Sequence, residues 1–119
     1  MATTPGKAFY ERQIDFLAKQ DVEGLIKTQY HTDAVLVGFD FTRRGHAELI
    51  PHFKAYLANL GGIKLLSTDK FTEIDDAIFF EATVEVAAGQ AVVYDVFTFK
   101  DGKAIRHFTG LKSFTPKQG

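Results

Sequence analysis

The second half of the chain carries four strand-like segments in succession, and this run constrains the fold more than any other feature. The segments are rich in β-branched and aromatic side chains, and they comprise residues 63–74, 77–87, 92–99 and 104–114. Two turn-forming pairs, Ala88-Gly89 and Asp101-Gly102, separate the last three segments. Consecutive strands joined by tight turns pair antiparallel. The sequence therefore predicts an antiparallel sheet that contains two hairpins.

Apolar residues at helical spacing occur three times before this sheet segment. Thr4 and Pro5 are an N-cap and first-turn pair for the first helix, and Asp21 caps the second. A single strand, residues 34–39, precedes the third helix. The element order αα-β-α-ββββ predicts an α+β fold in which three helices from the N-terminal half pack against the sheet. The length of 119 residues indicates one domain, 1–119.

The composition argues against several classes of function. The formal net charge is −1 and the only adjacent basic pair is Arg43-Arg44, so no nucleic-acid partner is expected. Cysteine is absent and the four histidines have no metal-binding spacing, so no metal and no cofactor are expected. The chain has no run of 18 apolar residues and no signal-peptide pattern. We therefore expect no membrane partner and a cytoplasmic location.

The hairpin turns predict which strand residues share a face of the sheet. A two-residue loop at Ala88-Gly89 places Asp95 opposite Ala82, and the second turn places Phe108 opposite Asp95. The face that carries Asp95 meets the helices in this register because it is the more apolar one. Its predicted pocket-lining residues are Phe80, Ala82, Val84, Phe97, Phe108 and Gly110.

Asp95 is the one charged residue in the run VVYDVFTF, and burying a carboxylate without a partner is costly. In an apolar pocket it would act as a general acid or base. Alternatively, it pairs with Arg106, its diagonal neighbour in the predicted register. Asp40 follows the first strand at the expected pocket rim, where it is a candidate base. Its alternative role is that of a turn residue, or a partner of Arg43 or Arg44.

The opposite face of the predicted sheet is only half polar. It would expose the apolar side chains of Val92, Tyr94, Val96 and Leu111 on a monomer. Contiguous apolar patches on a protein surface mark interaction sites. The sequence therefore predicts a homodimer formed through this outer face.

Three stretches resemble the nuclear transport factor 2-like superfamily, and within it the SnoaL-like branch that is related to ketosteroid isomerase and polyketide cyclases. They are DVEGLIKTQYHTDAVLVG from Asp21, RGHAELIPHFKAYL from Arg44 and VFTFKDGKAI from Val96. With the element order, the resemblance covers nearly the whole chain. It implies a curved sheet that three helices wrap into a cone with an apolar pocket, and many members are homodimers. Phe53 and Tyr30 would complete the pocket lining from the helical half.

The functional residues of ketosteroid isomerase carry over only in part. That enzyme uses an Asp base, with a Tyr and a protonated Asp that donate to the developing oxyanion. The base would fall at Gly38, and the Tyr near Gln13 or Ile14. The oxyanion Asp matches Asp95, so one of three roles is kept. Steroid-type isomerisation would need Asp40 as a substitute base.

Two functions of different classes follow from the sequence. The first is a SnoaL-like protein that binds a small apolar molecule in the pocket and performs cofactor-free acid/base catalysis of the isomerase, cyclase or dehydratase type through Asp95 and Asp40. The second is a non-catalytic ligand-binding or dimerisation module whose pocket is residual. The missing groups at Gly38 and Gln13 favour the second, whereas an acid/base pair across the pocket would favour the first.

Overall fold

The computed structural model describes residues 3–117 and consists of three helices and a curved, unclosed six-stranded sheet. The elements are, in chain order, α1 (Pro5–Lys19), α2 (Val22–Gln29), β1 (Tyr30–Val37), β2 (Thr42–Arg44), α3 (Gly45–Leu60), β3 (Lys64–Ile74), β4 (Ala77–Val86), β5 (Gly89–Lys100) and β6 (Lys103–Pro116). The predicted α+β fold is confirmed.

The helix boundaries follow from local capping chemistry. The Thr4 side chain accepts a hydrogen bond from the Lys7 amide, and Asp21 does the same for the Gly24 amide. Gly61 ends α3 with a φ of 70°, in the left-handed region that glycine adopts without strain. The sequence signals for all three helices were therefore read correctly.

The sheet differs from the prediction in two respects. Its strand order is β2-β1-β6-β5-β4-β3, and β1 runs parallel to β6 while all other pairs are antiparallel. A parallel neighbour needs a long crossover connection, and the chain between β1 and β6 supplies one. The three-residue strand β2, which the sequence did not reveal, pairs with β1 at the edge.

The first hairpin has the predicted loop length but a different position. Val86 pairs with Gly89, so that Ala87 and Ala88 form the turn, and Asp95 lies opposite Phe80 rather than Ala82. A shift of two residues keeps every side chain on its predicted face. Gly89 serves another purpose, because a Cβ there would collide with the backbone of β6 at Thr115.

Two β-bulges in β6 make the second hairpin differ more. Ile105 and Lys112 have no partner in β5, so each adds one residue to β6 and reverses the side-chain alternation. Thr109 consequently lies opposite Asp95, and the prediction that Phe108 does so is wrong. Phe108 lies on the outer face opposite Val96 and is 44% exposed.

The bulge at Ile105 also moves Leu111 and His107 from their predicted outer face to the inner face, where His107 is opposite Phe97. The core between this face and the helices is rich in aromatic rings. Phe9 packs edge-on against Phe97 with ring centroids 5.0 Å apart, which ties α1 to the sheet. Among the described residues no helix is long and apolar enough to cross a membrane.

Candidate functional site

A cavity of about 530 Å³ lies between the inner face of the sheet, α1, α3 and the loop that follows β1. The lining is predominantly apolar, with a few polar groups directed into it, which is typical of small-molecule sites. Of the residues predicted to be catalytic or to line the pocket, those that line it are Asp95, Asp40, Phe80, Ala82, Val84, Phe97, Gly110 and Phe53. Phe108 faces outward, and the fully buried Tyr30 lies behind the cavity wall.

Asp95 divides its two carboxylate oxygens between the protein and the cavity. Its Oδ1 lies 2.7 Å from Nε2 of His107. Within residues 3–117, no side-chain hydrogen bond reaches Oδ2, and no buried side-chain oxygen or nitrogen lacks a partner. Oδ2 is therefore open to the cavity that Asp95 lines. The alternative pairing with Arg106 is not formed, because that guanidinium donates to the Ile105 carbonyl instead.

His107 connects Asp95 to the core, whereas the register predicted from the sequence placed it on the outer face of the sheet. Its side chain is 5% exposed, its ring stacks on Phe97 with centroids 3.8 Å apart, and its Nδ1 lies 2.8 Å from the Tyr30 hydroxyl. Because a carboxylate only accepts hydrogen bonds, Nε2 carries a proton and donates a hydrogen bond to Oδ1 of Asp95. One residue in the sequence could have indicated the bulge. A regular register without it would bury the Arg106 guanidinium in the apolar core, which is costly, whereas one extra residue before Arg106 places His107 there instead.

Tyr30 keeps its proton in this environment. Burial raises the pKa of its hydroxyl well above the ordinary value, while a hydrogen bond from Gln13 lowers it and the charge of Asp95 raises it further. The hydroxyl is therefore available as a donor to His107. Gln13, the position at which the resemblance expected a phenol, donates from its Nε2 to the Tyr30 oxygen at 3.1 Å.

The structure explains why no base stands at Gly38. A Cβ at this position would collide with the ring of Phe41, which folds back over the strand end. Asp40 is exposed in the following loop at the cavity mouth. The segment that follows β1 thus places the Phe41 ring at the position where ketosteroid isomerase carries its base.

α3 supplies two further polar groups to the cavity wall, His52 and Tyr56. The His52 ring stacks on Phe41, with centroids 4.8 Å apart. Desolvation lowers the pKa of His52, and the positive charge of Arg43 lowers it further, so its imidazole is neutral at pH 7. Tyr56 as a residue is 37% exposed, but desolvation of its phenol, with a smaller effect of the Asp95 charge, raises its pKa to about 12. Both are therefore uncharged hydrogen-bonding groups near neutral pH.

The described part of the chain holds no cluster of three or more His, Cys, Asp or Glu side chains that could bind a metal ion. The polar groups that line the cavity include the Asp95 carboxylate, the neutral His52 imidazole and the Tyr56 phenol. Such a set can accept and donate protons and can hydrogen-bond a ligand oxygen.

The family model of the SnoaL-like domain matches residues 10–107, which is most of the chain. The protein therefore belongs to the SnoaL-like family, and its fold is that of the nuclear transport factor 2-like superfamily. The predicted resemblance is confirmed. A search of curated proteins finds no match.

Solved structures show the same fold at low sequence identity. TerC, crystallised with polyporic acid, is 24% identical with a TM-score of 0.77, and the match covers 92% of each chain. A nuclear transport factor 2-like protein from Anabaena variabilis is 16% identical with a TM-score of 0.81, covering 95% of this chain and 96% of the other. A putative polyketide cyclase from Sinorhizobium meliloti is 17% identical with a TM-score of 0.75, covering 87% and 94%.

Proposed function

We propose that the protein binds a small, largely apolar molecule in the cavity and moves a proton on it with Asp95, without a cofactor. The observation that carries this proposal is the division of the Asp95 carboxylate, whose Oδ1 accepts from His107 while Oδ2 is open to an apolar cavity. The names of two similar structures support binding of a small organic molecule, since one was crystallised with polyporic acid and another is a putative polyketide cyclase.

Asp95 Oδ2 would act first as a base. It takes a proton from an acidic C–H or O–H of the bound molecule, which leaves a neutral carboxyl group and an anionic ligand. His107 continues to donate to Oδ1 and fixes the plane of the carboxyl group. The carboxyl group exchanges its proton with water and then delivers a proton to a different atom of the ligand, so that Asp95 ends as it began.

The negative charge on the ligand needs hydrogen-bond donors at the opposite wall. His52 and Tyr56 lie on α3 in that wall, and both are uncharged near neutral pH. A donor aimed at a developing oxyanion in an apolar site contributes several kcal/mol, on the order of 3, to the lowering of the barrier. These two side chains would thus replace the phenol that is missing at the position of Gln13.

A non-catalytic ligand carrier is the alternative, and one observation favours it. Phe41 occupies the space beside Gly38, and Asp40 is exposed at the mouth, so β1 supplies no base inside the cavity. Binding would then rest on the apolar lining, and Asp95 would only accept a hydrogen bond from the ligand.

Native mass spectrometry of the purified protein identifies a co-purified molecule, and deuterium incorporation into that molecule in heavy water then measures proton transfer. We expect the wild-type protein to catalyse incorporation. Asp95→Asn, which keeps an oxygen for His107, should retain binding and lose at least roughly a hundredfold in rate. Asp75→Asn, an exposed substitution of the same kind outside the cavity, is the matched control and should behave as the wild type.

Binding without incorporation in the wild-type protein would establish the carrier instead. Incorporation that survives in Asp95→Asn would transfer the catalytic role to another group, and Asp40→Asn would then be the next variant to test. Both functions would be contradicted if no molecule co-purifies with the protein and the protein binds no added aromatic acid.

A further inference from the structure

A continuous row of hydrogen-bonded side chains leads from His107 to the protein surface, and one of its members, Gln13, also lines the cavity. Beyond Tyr30 it passes through Gln13, which is 3% exposed, and Gln29, which is 1% exposed, and it ends at Arg12. Amide side chains buried this deeply between helices and sheet are uncommon. The proposed proton transfer at Asp95 does not itself require them.

The outer end of the row has only one consistent orientation. A guanidinium can only donate, so the Arg12 Nε–H, at 3.0 Å, requires Gln29 to present its oxygen. The backbone carbonyl of Phe9 can only accept, and it receives a hydrogen bond from Gln29 Nε2 at 2.9 Å. Two independent partners therefore fix the Gln29 amide in the same orientation.

The orientation of Gln29 determines the hydrogen-bond directions of the groups between it and His107. Gln29 Nε2 also donates to Gln13 Oε1 at 3.3 Å, which leaves the Gln13 amide nitrogen to donate to the Tyr30 oxygen at 3.1 Å. The Tyr30 hydroxyl proton must then point toward Nδ1 of His107, 2.8 Å away. Nδ1 is an acceptor in this arrangement, so the only ring proton of His107 is on Nε2, facing Asp95.

We propose that Gln13 and Gln29 are positioning residues that hold His107 as the neutral tautomer with its proton on Nε2. A doubly protonated His107 would direct an N–H at the Tyr30 oxygen and would leave the Tyr30 hydroxyl proton without an acceptor, which is costly in a buried site. Asp95 then faces a neutral donor and remains the group that takes the proton. The catalytic meaning of this arrangement rests on the proposed function, but the protonation state does not.

The row orients groups and does not conduct protons. An amide nitrogen has no basic lone pair, so neither glutamine can take up a proton from one neighbour and release another to the next. This distinguishes the proposal from a relay to solvent. The proposal also differs from a purely structural role of the buried amides. Such a role requires only that each polar group has a hydrogen-bond partner and sets no protonation state for His107.

Gln13→Glu tests the proposal because it keeps the size of the side chain and reverses its hydrogen-bonding role. A carboxylate at this position accepts from Tyr30, so the Tyr30 oxygen becomes the acceptor that faces Nδ1. We expect His107 to gain a proton on Nδ1 at neutral pH and thus to become doubly protonated. ¹⁵N NMR of histidine-labelled protein reports the protonation of each ring nitrogen directly. Gln20→Glu, at the exposed end of the same helix, is the matched control and should leave His107 unchanged.

The wild-type spectrum is itself a test and covers the case in which the variant fails to fold. We expect Nδ1 to be unprotonated and to be coupled across the hydrogen bond to a slowly exchanging Tyr30 hydroxyl proton. A proton on Nδ1 in the wild-type protein would overturn the proposal, as would an unprotonated Nδ1 in folded Gln13→Glu. None of these spectra needs a substrate, so they separate this proposal from a failure of the proposed function.

The positioning role has its own readout in the deuterium assay. Gln13→Glu should slow incorporation at saturating concentrations of the bound molecule roughly tenfold or more, a comparison that does not depend on any change in affinity caused by the new charge in the cavity wall. An unchanged rate in a variant whose His107 is doubly protonated would refute the positioning role.

Discussion

At the scale of single residues, the site depends on which side chain is the hydrogen-bond partner of Asp95. Asp95 cannot pair with Arg106, because a bulge turns that guanidinium outward. Its partner is an imidazole, which leaves one carboxylate oxygen open to the cavity. The sequence indicated that Asp95 would face the helices, but its partner could not be read from alternation alone.

His52 provides a test at this scale through the pH dependence of stability. Desolvation, with a further effect of the positive charge of Arg43, lowers its pKa from 6.5 in the folded protein. The unfolded chain therefore binds a proton at this imidazole more readily than the folded protein does. Between the lowered pKa and 6.5, stability falls as the pH falls, and below that window the loss is complete.

We expect His52→Gln to lose less stability than the wild type when the pH is lowered from about 7.5 to about 5. Urea denaturation at several pH values measures this difference. His31→Gln, which removes an imidazole that does not line the cavity, is the comparison. Equal pH slopes for wild type and His52→Gln would contradict the argument.

At the scale of elements, the helices and the number of long strands were predictable because caps, turns and periodicity are local signals. Thr4, Asp21 and the Asp101-Gly102 turn all act where the sequence placed them. The bulge at Ile105 could not be predicted by pairing residues outward from the turn. No particular residue type marks the extra residue of such a bulge, so the sequence does not show where the register changes. That single residue decides that His107, and not Phe108, shares a face with Asp95.

The start of α1 is joined to the end of β3 by one carboxylate, and this contact makes an element-scale prediction. Glu73 accepts from the Gly6 amide at 2.9 Å and from the Thr4 hydroxyl at 2.6 Å. A negative charge at a helix N-terminus also interacts favourably with the helix dipole. We expect Glu73→Ala to lower the free energy of unfolding by about 1–3 kcal/mol.

Denaturation by urea or guanidinium measures this loss. Glu85→Ala, at an exposed position of β4, is the matched control and should change stability by less than about 0.5 kcal/mol. Similar losses in both variants would show that the contact between α1 and β3 contributes little.

At the scale of the whole molecule, the sheet separates two apolar surfaces with different uses. The inner surface encloses the cavity together with α1 and α3. The outer surface carries a row of directly opposed apolar side chains that crosses four strands, comprising Phe79, Val96, Phe108 and Val37. Phe79 is 51% exposed and Phe108 is 44% exposed. The bulge that brings His107 inward is also what adds Phe108 to this row.

We expect this outer row to be covered by a second copy of the chain. Contiguous exposed apolar side chains mark an interaction surface, and the neighbouring carboxylate of Glu81 is already paired with Lys112 at 2.7 Å, so it does not oppose apolar contact. Light scattering on a sizing column should give the mass of a dimer for the wild type and of a monomer for Phe108→Lys. Leu66→Lys, on an edge strand with a similar exposed fraction of 42%, should remain dimeric. A monomeric wild-type protein would contradict the dimer, and loss of the dimer in both variants would place the interface elsewhere.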